Sequence, residues 1–239
     1  MGFDNDALYP NQPLSDVACE VRFPGEMQIE CNRHLFWDQI RSDYPKIMVP
    51  FAKDGHPPAL QHYRFRSETG NRTVAIALNS LVYSEGKYRG HKLFIAEFVR
   101  LVELFRATYP KISKPNRVGW RYINHMTFSR EGGLTPVGRL VKLIPKLPLN
   151  MFAATNTIDF QWTGKFEGAT VTLRLANVER KDLPGQEALL LDIDYGLDSP
   201  HLTWEEVPAR VETARWVARD IFEQMITDDY RKYLKGESL

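Results

Sequence analysis

The sequence predicts an α+β protein built on antiparallel sheet, with helices on one face of the sheet and two βα-rich halves. Two kinds of pattern indicate this class. Several short runs alternate apolar and polar residues, which is typical of half-buried strands. Three longer stretches repeat apolar residues every three or four positions, which is typical of helices that lie on a sheet. The elements of the first half follow the order strand–helix–strand–strand–helix–strand, which is that of a split βαβ unit.

The predicted elements begin after a proline-containing extended lead-in. Residues 17–23 alternate as a strand that a Pro-Gly pair ends. Asn32 is the predicted N-cap of a helix that stops at residue 44, directly before a proline. A loop of sequence Asp-Gly-His-Pro-Pro at residues 54–58 then leads to a short alternating strand at residues 62–66.

A longer apolar run at residues 73–84 predicts one further strand. Residues 92–108 form a predicted helix, and residues 117–128 form the longest predicted strand of this half. The helix carries an apolar stripe of Phe94, Phe98, Leu101 and Phe105. A glycine pair and a proline-rich connector follow, with prolines at positions 136, 145 and 148. This connector predicts a division of the chain into residues 1–132 and 133–239.

The second half is predicted as an antiparallel meander followed by a long C-terminal helix. Three runs alternate apolar and polar residues, at residues 158–162, 171–175 and 189–195. Thr203 and Glu206 then fit a capping box, in which each side chain binds a backbone N–H at the start of a helix. The apolar residues that follow recur every three or four positions, which favours a helix packed on the sheet.

The charge balance limits the function classes. The 239-residue chain has a net charge of +1, which argues against a strong overall field for nucleic acid or an anionic membrane. Residues 1–130 hold 18 Lys and Arg against 13 Asp and Glu, whereas the remaining residues hold 13 against 17. The asymmetry indicates either a basic face on the first half or two halves that neutralise each other.

The cysteines and the hydropathy predict a cytoplasmic protein. Cys19 and Cys31 are the two cysteines, too few for a zinc site or a disulfide framework, and both are expected to be small buried residues in a reducing compartment. The N-terminus is polar and acidic, unlike a signal peptide. No run approaches 18 apolar residues, so we expect no membrane association.

Motifs for cofactors and catalysis are sparse. The sequence contains no phosphate-binding glycine motif, no Gly-x-Ser-x-Gly and no close histidine pair, so no cofactor is expected and an enzyme is not favoured. Lys87, Arg89 and His91 flank a glycine-containing loop before a helix, which would suit an anion or would simply be a flexible basic loop. His62 and His125 would form part of a metal site if their strands were adjacent, or would be ordinary surface or core histidines.

One carboxylate pair also stands out. Asp192 and Asp194 are two residues apart on a predicted strand, so their side chains share one face of the sheet. Such a pair suits metal binding or acid–base chemistry. It equally suits the solvent-exposed side of a strand, with Arg174 of a neighbouring strand neutralising the charge.

The strongest functional pattern is a candidate binding surface. The strand at residues 117–125 carries Trp120 and Tyr122 on one side and basic residues on the other. If this strand pairs with the strand at residues 62–66, cations gather beside aromatic rings, as in proteins that bind single-stranded nucleic acid. The same cations would bind an acidic protein segment, or they would be an ordinary solvent-exposed sheet face. The candidate binding residues are Arg64, Arg66, Lys87, Arg89, Arg117, Arg121 and His125.

Three segments carry a family resemblance. They are Pro13-Leu14 with the strand ending Val21-Arg22-Phe23, the central run Arg117-Val118-Gly119-Trp120-Arg121-Tyr122-Ile123-Asn124, and the terminal run Phe222-Glu223-Gln224-Met225-Ile226-Thr227-Asp228. Over nearly its whole length the chain resembles a sporadically distributed family of uncharacterised prokaryotic proteins of similar length. The resemblance implies no activity and no catalytic residues. The patchy distribution of the family resembles that of genes that move with mobile elements, including defence and toxin–antitoxin systems.

Together these patterns favour a non-catalytic binding protein, linked to a defence or toxin–antitoxin system, that engages a protein or a nucleic acid. The alternative is an enzyme that binds a nucleotide or another small molecule in a cleft between the halves. A third hypothesis is a structural subunit, which an exposed apolar patch on the helix at residues 92–108 would favour. Formation of a homo-oligomer is left open.

Overall fold

The structure, a computed structural model, describes residues 8–49, 61–142, 157–180 and 183–237. The predicted loop at residues 54–58 and the prolines at positions 145 and 148 lie outside these ranges. The strands are β1 (Leu14–Arg22), β2 (Lys46–Met48), β3 (Tyr63–Arg66), β4 (Arg72–Ala77), β5 (Ser80–Glu85), β6 (Arg117–Thr127), β7 (Asp159–Phe166), β8 (Ala169–Glu179) and β9 (Glu187–Asp198). The helices are α1 (Met27–Ile40), α2 (His91–Thr108), α3 (Val137–Leu140), α4 (Val207–Met225) and α5 (Asp228–Leu234).

The predicted α+β class is confirmed. The nine strands form an antiparallel sheet in the order β2-β3-β4-β5-β1-β6-β9-β8-β7. Among the described residues, no helix combines the length and the apolar character that crossing a membrane requires.

One strand prediction is wrong. Residues 73–84 form two strands, β4 and β5, rather than one, and a tight turn at Leu78 and Asn79 joins them. Ala77 and Ser80 pair across this turn, so the hairpin has a two-residue loop, and asparagine is a residue that tight turns favour. The short strand β2 was also not predicted. The first half therefore contains two more strands than its pattern indicated.

The helix predictions differ in outcome. The helix α2 lies within one residue of the prediction. Before α4, half of the predicted capping box is formed: the Glu206 carboxylate accepts from the Thr203 backbone N–H at 2.9 Å, whereas the Thr203 hydroxyl donates to the same carboxylate at 3.1 Å instead of accepting from a backbone N–H. The predicted start of α1 is wrong. Glu26 is the N-cap of this helix, because its side chain accepts from the Gln28 N–H at 2.8 Å, and Asn32 forms a kink inside the helix. The short helices α3 and α5 were not predicted.

The chain forms two compact units, each assembled from separate stretches. The first unit consists of Met1–Ser15, Arg121–Tyr195 and Trp216–Leu239, and the second unit of Asp16–Trp120 and Gly196–Arg215. This is a different division from the predicted halves at residues 1–132 and 133–239, which stay a prediction.

The core of the second unit is rich in aromatic side chains. The ring of Phe94 on α2 lies 4.7 Å from the ring of Tyr83 and 5.0 Å from that of Trp120, measured between centroids. The apolar stripe of α2 is buried along its length. The exposed patch that would favour a structural subunit is therefore not formed by this stripe.

The first unit has a core of aliphatic and aromatic residues from β6, β9, α4 and α5. Its buried members include Tyr122, Met126, Leu189, Leu191, Ile193, Ala218, Phe222 and Tyr230. Asn124 is buried among them, and its side-chain amide donates to the Leu191 carbonyl at 3.1 Å, so the amide N–H has a partner.

Candidate binding surface

The second unit places Arg64 and Arg66 on one face of β3, in line with small residues of the neighbouring strands. Strand pairing builds two rows across β3, β4, β5 and β1. The first row is Arg64, Ala75, Val82 and Glu20, and the second row is Arg66, Thr73, Ser84 and Ala18. We call these two rows the small-residue face, because the four residues on β4 and β5 and Ala18 on β1 have short side chains.

The small-residue face points away from the aromatic core. The intervening row, Phe65, Val74, Tyr83 and Cys19, is buried on the other side of the same strands. Helices cover that side, since Trp37 of α1 stacks on Phe65 with centroids 6.5 Å apart and α2 contacts Tyr83. On the small-residue face, Arg64 is exposed, whereas Thr73 and Ser84 are partly exposed.

The two β3 arginines have no carboxylate partner among the residues that the structure describes. Arg64 forms no ion pair there, and Arg66 donates one long hydrogen bond of 3.3 Å from Nη2 to the Gly70 carbonyl. Across the face, Glu20 accepts from Arg22 Nε at 2.8 Å, so the charge at the β1 side is already balanced. The unbalanced charge of the face is therefore positive and lies at β3.

The pairing of β3 with β6 on which the candidate binding surface depended does not occur. Strands β4, β5 and β1 lie between them in the sheet, because the hairpin in residues 73–84 adds a strand and β1 pairs with β5. Trp120 and Tyr122 are buried, with 0% and 5% of their surface exposed, so they offer no ring to a ligand beside Arg64 and Arg66. The predicted combination of cations and stacking aromatics on one surface is not formed.

The arginines of β6 are occupied by carboxylates. Arg121 forms a two-pronged pair with Asp192, from Nε to Oδ1 at 2.8 Å and from Nη2 to Oδ2 at 2.6 Å. Arg117 donates to Asp198 at 2.8 Å, and its guanidinium lies directly over Gly196, where an added Cβ would come within 2.2 Å of Nη2. Both arginines therefore have a structural role in the folded protein.

The carboxylate pair on β9 has its cation on β6. Asp192 is only 8% exposed and is held by Arg121, whereas Arg174 on β8 forms its two-pronged pair with Asp159 of β7, at 3.0 and 3.3 Å. The hydrogen bond from Arg174 lowers the pKa of Asp159. Because the carboxylate of Asp192 is already bound on both oxygens, this geometry does not favour an acid–base role for it.

The predicted histidine pair is not formed, because β3 and β6 are not neighbours. His125 Nδ1 lies 2.7 Å from the Ser15 hydroxyl, which itself donates to the Ile123 carbonyl at 3.0 Å. The hydroxyl therefore accepts from His125, so the imidazole does not act as a base toward Ser15. The described part of the chain contains no group of three or more His, Cys, Asp or Glu side chains that could hold a metal ion.

His62, which directly precedes β3, is hydrogen-bonded to a side chain of β5. Its Nε2 atom lies 2.9 Å from the Ser80 hydroxyl. Burial lowers the pKa of His62; nearby Glu20 raises it in part, and Arg64 and Arg22 lower it further. The positive charge of Arg64 therefore helps to lower the pKa of His62, which lies in the same unit.

The loop before α2 encloses a carboxylate of the protein itself. Glu85 is fully buried and accepts from the Tyr83 hydroxyl at 2.6 Å, from the Arg89 backbone N–H at 3.1 Å and from Arg89 Nη2 at 2.7 Å. Arg89 is thus used internally, at the place where the sequence indicated an anion site. Lys87 is exposed and forms no ion pair among the described residues.

Sequence reasoning missed Glu85, although a signal was present. In β5, Leu81, Tyr83 and Glu85 alternate onto the buried face, so the period of two alone predicts a buried carboxylate. A buried carboxylate requires donors, and the following loop supplies Arg89.

Two further carboxylates were missed, the partly buried Glu97 and the buried Glu223, and each is bound by several donors. Glu97 on α2 accepts from the Tyr44 hydroxyl at 2.6 Å and from Arg100 at 2.7 and 2.8 Å. Burial alone would raise the pKa of Glu97, but the hydrogen bonds from Arg100 and Tyr44 outweigh it and the pKa is lowered. In the first unit, Glu223 accepts from the Tyr9 hydroxyl at 3.0 Å and pairs with two arginines, Arg219 and Arg231.

A pocket of about 400 Å³ lies in the second unit at the C-terminal end of α2. Glu103, Arg106 and Trp204 are among its lining residues, and it contains none of the candidate site residues. Arg106 is paired with Glu205 at 2.8 Å and lies against the Trp204 ring, so its charge is balanced.

Of the candidate binding residues, the structure therefore brings together Arg64 and Arg66, and it assigns internal partners to Arg89, Arg117, Arg121 and His125. No model of a known protein family matches the chain, and no curated protein matches it either. The geometry of the described residues is thus the basis for a functional proposal.

Proposed function

We propose that the protein is a non-catalytic binding protein and that its small-residue face binds an acidic segment of a protein partner. One observation carries this proposal: Arg64 and Arg66 lie side by side on β3, each at the end of a row of short side chains, and have no carboxylate partner among the described residues. A guanidinium donates two parallel hydrogen bonds to a carboxylate, so two of them on one strand suit a partner with spaced acidic residues.

The short side chains favour close approach. Side chains stand roughly perpendicular to a sheet, so alanine, serine and threonine on β4 and β5 leave a shallow depression beside the longer arginines. An extended segment that enters this depression contacts the sheet and reaches both guanidinium groups. The depression provides shape complementarity to the partner, and the arginines provide charge complementarity. In interfaces, close packing contributes to affinity and complementary charges contribute to specificity.

The balance of charge and aromatic surface favours a protein over a nucleic acid. Single-stranded nucleic acid is usually held by cations together with aromatic rings on which bases stack. Here Trp120 and Tyr122 are buried, and Arg117 and Arg121 are neutralised by carboxylates. Two arginines without a stacking ring suit carboxylates better than bases.

The proposal includes a cytoplasmic location and, from the family resemblance alone, a partner that belongs to a defence or toxin–antitoxin system. The chemistry that the small-residue face requires of this partner is an acidic and extended segment.

The experiment measures binding of two labelled probes of equal charge, a short polyglutamate peptide and a single-stranded DNA oligonucleotide, by fluorescence anisotropy. The test variant is the double substitution Arg64→Ala and Arg66→Ala. The matched control is the double substitution Arg41→Ala and Arg210→Ala, which removes two exposed arginines that are paired within their own helices or helix start. We expect the test variant to bind the peptide at least about tenfold more weakly, which corresponds to about 1.4 kcal/mol, and the control to bind it normally.

Thermal unfolding shows whether the test variant is as stable as the wild type. Arg64 is exposed and Arg66 donates one long hydrogen bond to the Gly70 carbonyl, so neither contributes much to stability, and the test variant is expected to unfold within about 0.5 kcal/mol of the wild type. Equal peptide binding by the wild type and the test variant would overturn the assignment of the small-residue face. Preferential binding of the oligonucleotide, lost in the same variant, would overturn the protein partner in favour of nucleic acid.

A further inference from the structure

Among the described residues, β7 of the β7–β8 hairpin, in the first unit, is an edge strand of the sheet, and most of its side chains are exposed. β7 is the last strand in the order, and among the described residues it pairs with β8 alone. It is eight residues long and contains no proline. Natural edge strands are commonly shortened, bulged or covered, because their free backbone groups can pair with another chain.

The outward backbone groups of β7 can be assigned from its pairing. Asn177 donates its N–H to the Ile158 carbonyl at 2.8 Å, and hydrogen-bonded pairs alternate along an antiparallel ladder. Residues at even positions from 158 to 166 therefore bond to β8. The N–H and C=O groups of Asp159, Gln161, Thr163 and Lys165 point away from β8, toward the free edge.

The two faces of this edge strand are unlike each other. Trp162 and Phe166 lie on one face and expose 48% and 42% of their surface, with Phe160 partly exposed beside them. The other face carries Asp159, Gln161, Thr163 and Lys165, of which the first and last have opposite charges. Large exposed aromatic side chains next to free backbone groups are typical of a binding surface.

We propose that β7 pairs antiparallel with β7 of a second copy of this chain, so that two sheets join across a two-fold axis. A contact between identical strands is self-complementary when each strand runs antiparallel to the other. The opposite charges at the two ends of the strand meet this requirement, because the Asp159 carboxylate, which Arg174 of β8 binds within the same copy, keeps lone pairs for a lysine of the second copy. The exposed aromatic residues of both copies then cover one another on one face of the joined sheet.

Three conditions favour one register of this pairing, and the third is that Asp159 and Lys165 lie opposite each other. The faces stay continuous only if residues from the same face lie opposite each other, and the outward backbone groups must meet. A register centred on Trp162 satisfies both conditions. It places Asp159 opposite Lys165 of the second copy, twice by symmetry, and Gln161 opposite Thr163.

The neighbouring register, centred on Thr163, fails the third condition, which is charge. It places Asp159 opposite Glu167 of the second copy, and like charges directly opposite each other are destabilising. The register centred on Trp162 also places Phe160 opposite Gly164. The ring of Trp162 already lies over Gly164 in its own strand, where an added Cβ would come within 2.2 Å of the ring. Phe160 of the second copy would thus meet the Trp162 ring.

The test uses the full chain and measures mass by native mass spectrometry and by light scattering after size exclusion. We expect the wild type to form a dimer of twice the 27.6-kDa chain mass. Thr163→Pro removes an outward N–H and no bond to β8, so it should weaken the dimer at least about tenfold. The matched control Thr163→Val keeps the N–H and loses the hydroxyl contact to Thr172 that the proline variant also loses, and it should remain dimeric.

A charge substitution tests the register separately from the strand. Lys165→Asp places two carboxylates opposite each other and should weaken the dimer, whereas Lys165→Arg keeps the positive charge and should remain dimeric. Circular dichroism confirms that each variant is folded. A monomeric wild type, or a dimer that neither Thr163→Pro nor Lys165→Asp weakens, would overturn the proposal. A dimer that Lys165→Arg weakens as strongly as Lys165→Asp would overturn the register.

Discussion

Two strands of this sheet, β3 and β6, each carry two arginines on one face and look alike in the sequence, but they differ in the folded protein. On β6, Arg121 is held by Asp192 through two hydrogen bonds, and Arg117 is held by Asp198. On β3, Arg64 and Arg66 lie beside alanine and threonine. The comparison shows that an arginine on a strand is available to a partner only where the adjacent strands supply no carboxylate.

The difference arises from strand order. β9 lies next to β6 and brings Asp192 and Asp198, which are more than 70 residues away in sequence from the arginines that they bind. β4 lies next to β3 and brings only short side chains to the same face. Neighbouring residues in the chain are similar in both cases, so the distant strand decides which arginine is structural and which is free for binding.

The largest expected effect concerns Arg89, which shares the structural role of the β6 arginines. Arg89→Ala leaves the fully buried Glu85 carboxylate without its cation, which is expected to lower the free energy of unfolding by about 3 kcal/mol. Urea unfolding measures this loss. Lys87→Ala, two residues away and exposed, is the control and should change stability by less than about 0.5 kcal/mol. If the Arg89→Ala variant is as stable as the control, Arg89 does not have a structural role.

A smaller effect is expected at Arg121. Arg121→Ala leaves Asp192 without a cation, but the arginine itself is about half exposed, so solvent screens the pair and we expect a loss of about 1 to 2 kcal/mol. A double-mutant cycle with Asp192→Ala measures the coupling between the two side chains. If the two losses of unfolding free energy are additive, Arg121 and Asp192 are not coupled. Arg121 would then not differ from the β3 arginines in having a stabilising carboxylate partner.

The smallest effect concerns His62, and it measures the charge on β3. Burial lowers the pKa of His62 from 6.5, and Arg64 lowers it further, so Arg64→Ala should raise this pKa in an NMR titration. Arg106→Ala, which removes an arginine already paired with Glu205, is the control and should leave it unchanged. An unchanged pKa in the Arg64→Ala variant would contradict a free charge at Arg64.

The same shift has a consequence for stability. A histidine whose pKa is lower in the folded state binds more protons when unfolded, so folding becomes less favourable as the pH falls below about 6.5. His62→Gln should reduce this dependence on pH, as measured by urea unfolding at pH values above and below that point.

Much of the fold was predictable because its signals are local. The period of three to four residues in α2 and the Thr203–Glu206 cap of α4 depend on residues within a few positions of one another. The alternation of β6 likewise predicted which side of the strand is buried. The errors at Asn32 and at Asn79 were also local: an acidic cap six residues earlier starts α1, and a turn divides an apolar run whose composition is uniform.

The candidate site was only half predictable. The sequence by itself determined the α+β class, the main helices and strands, and which side chains share a strand face, because backbone geometry sets these periods within each segment. Strand order, and with it the availability of each arginine, was decided by the tertiary structure. The pairing of Arg121 with Asp192 and the row from Arg64 to Glu20 both depend on hydrogen bonds between strands that are distant in the chain, and no local pattern encodes those bonds.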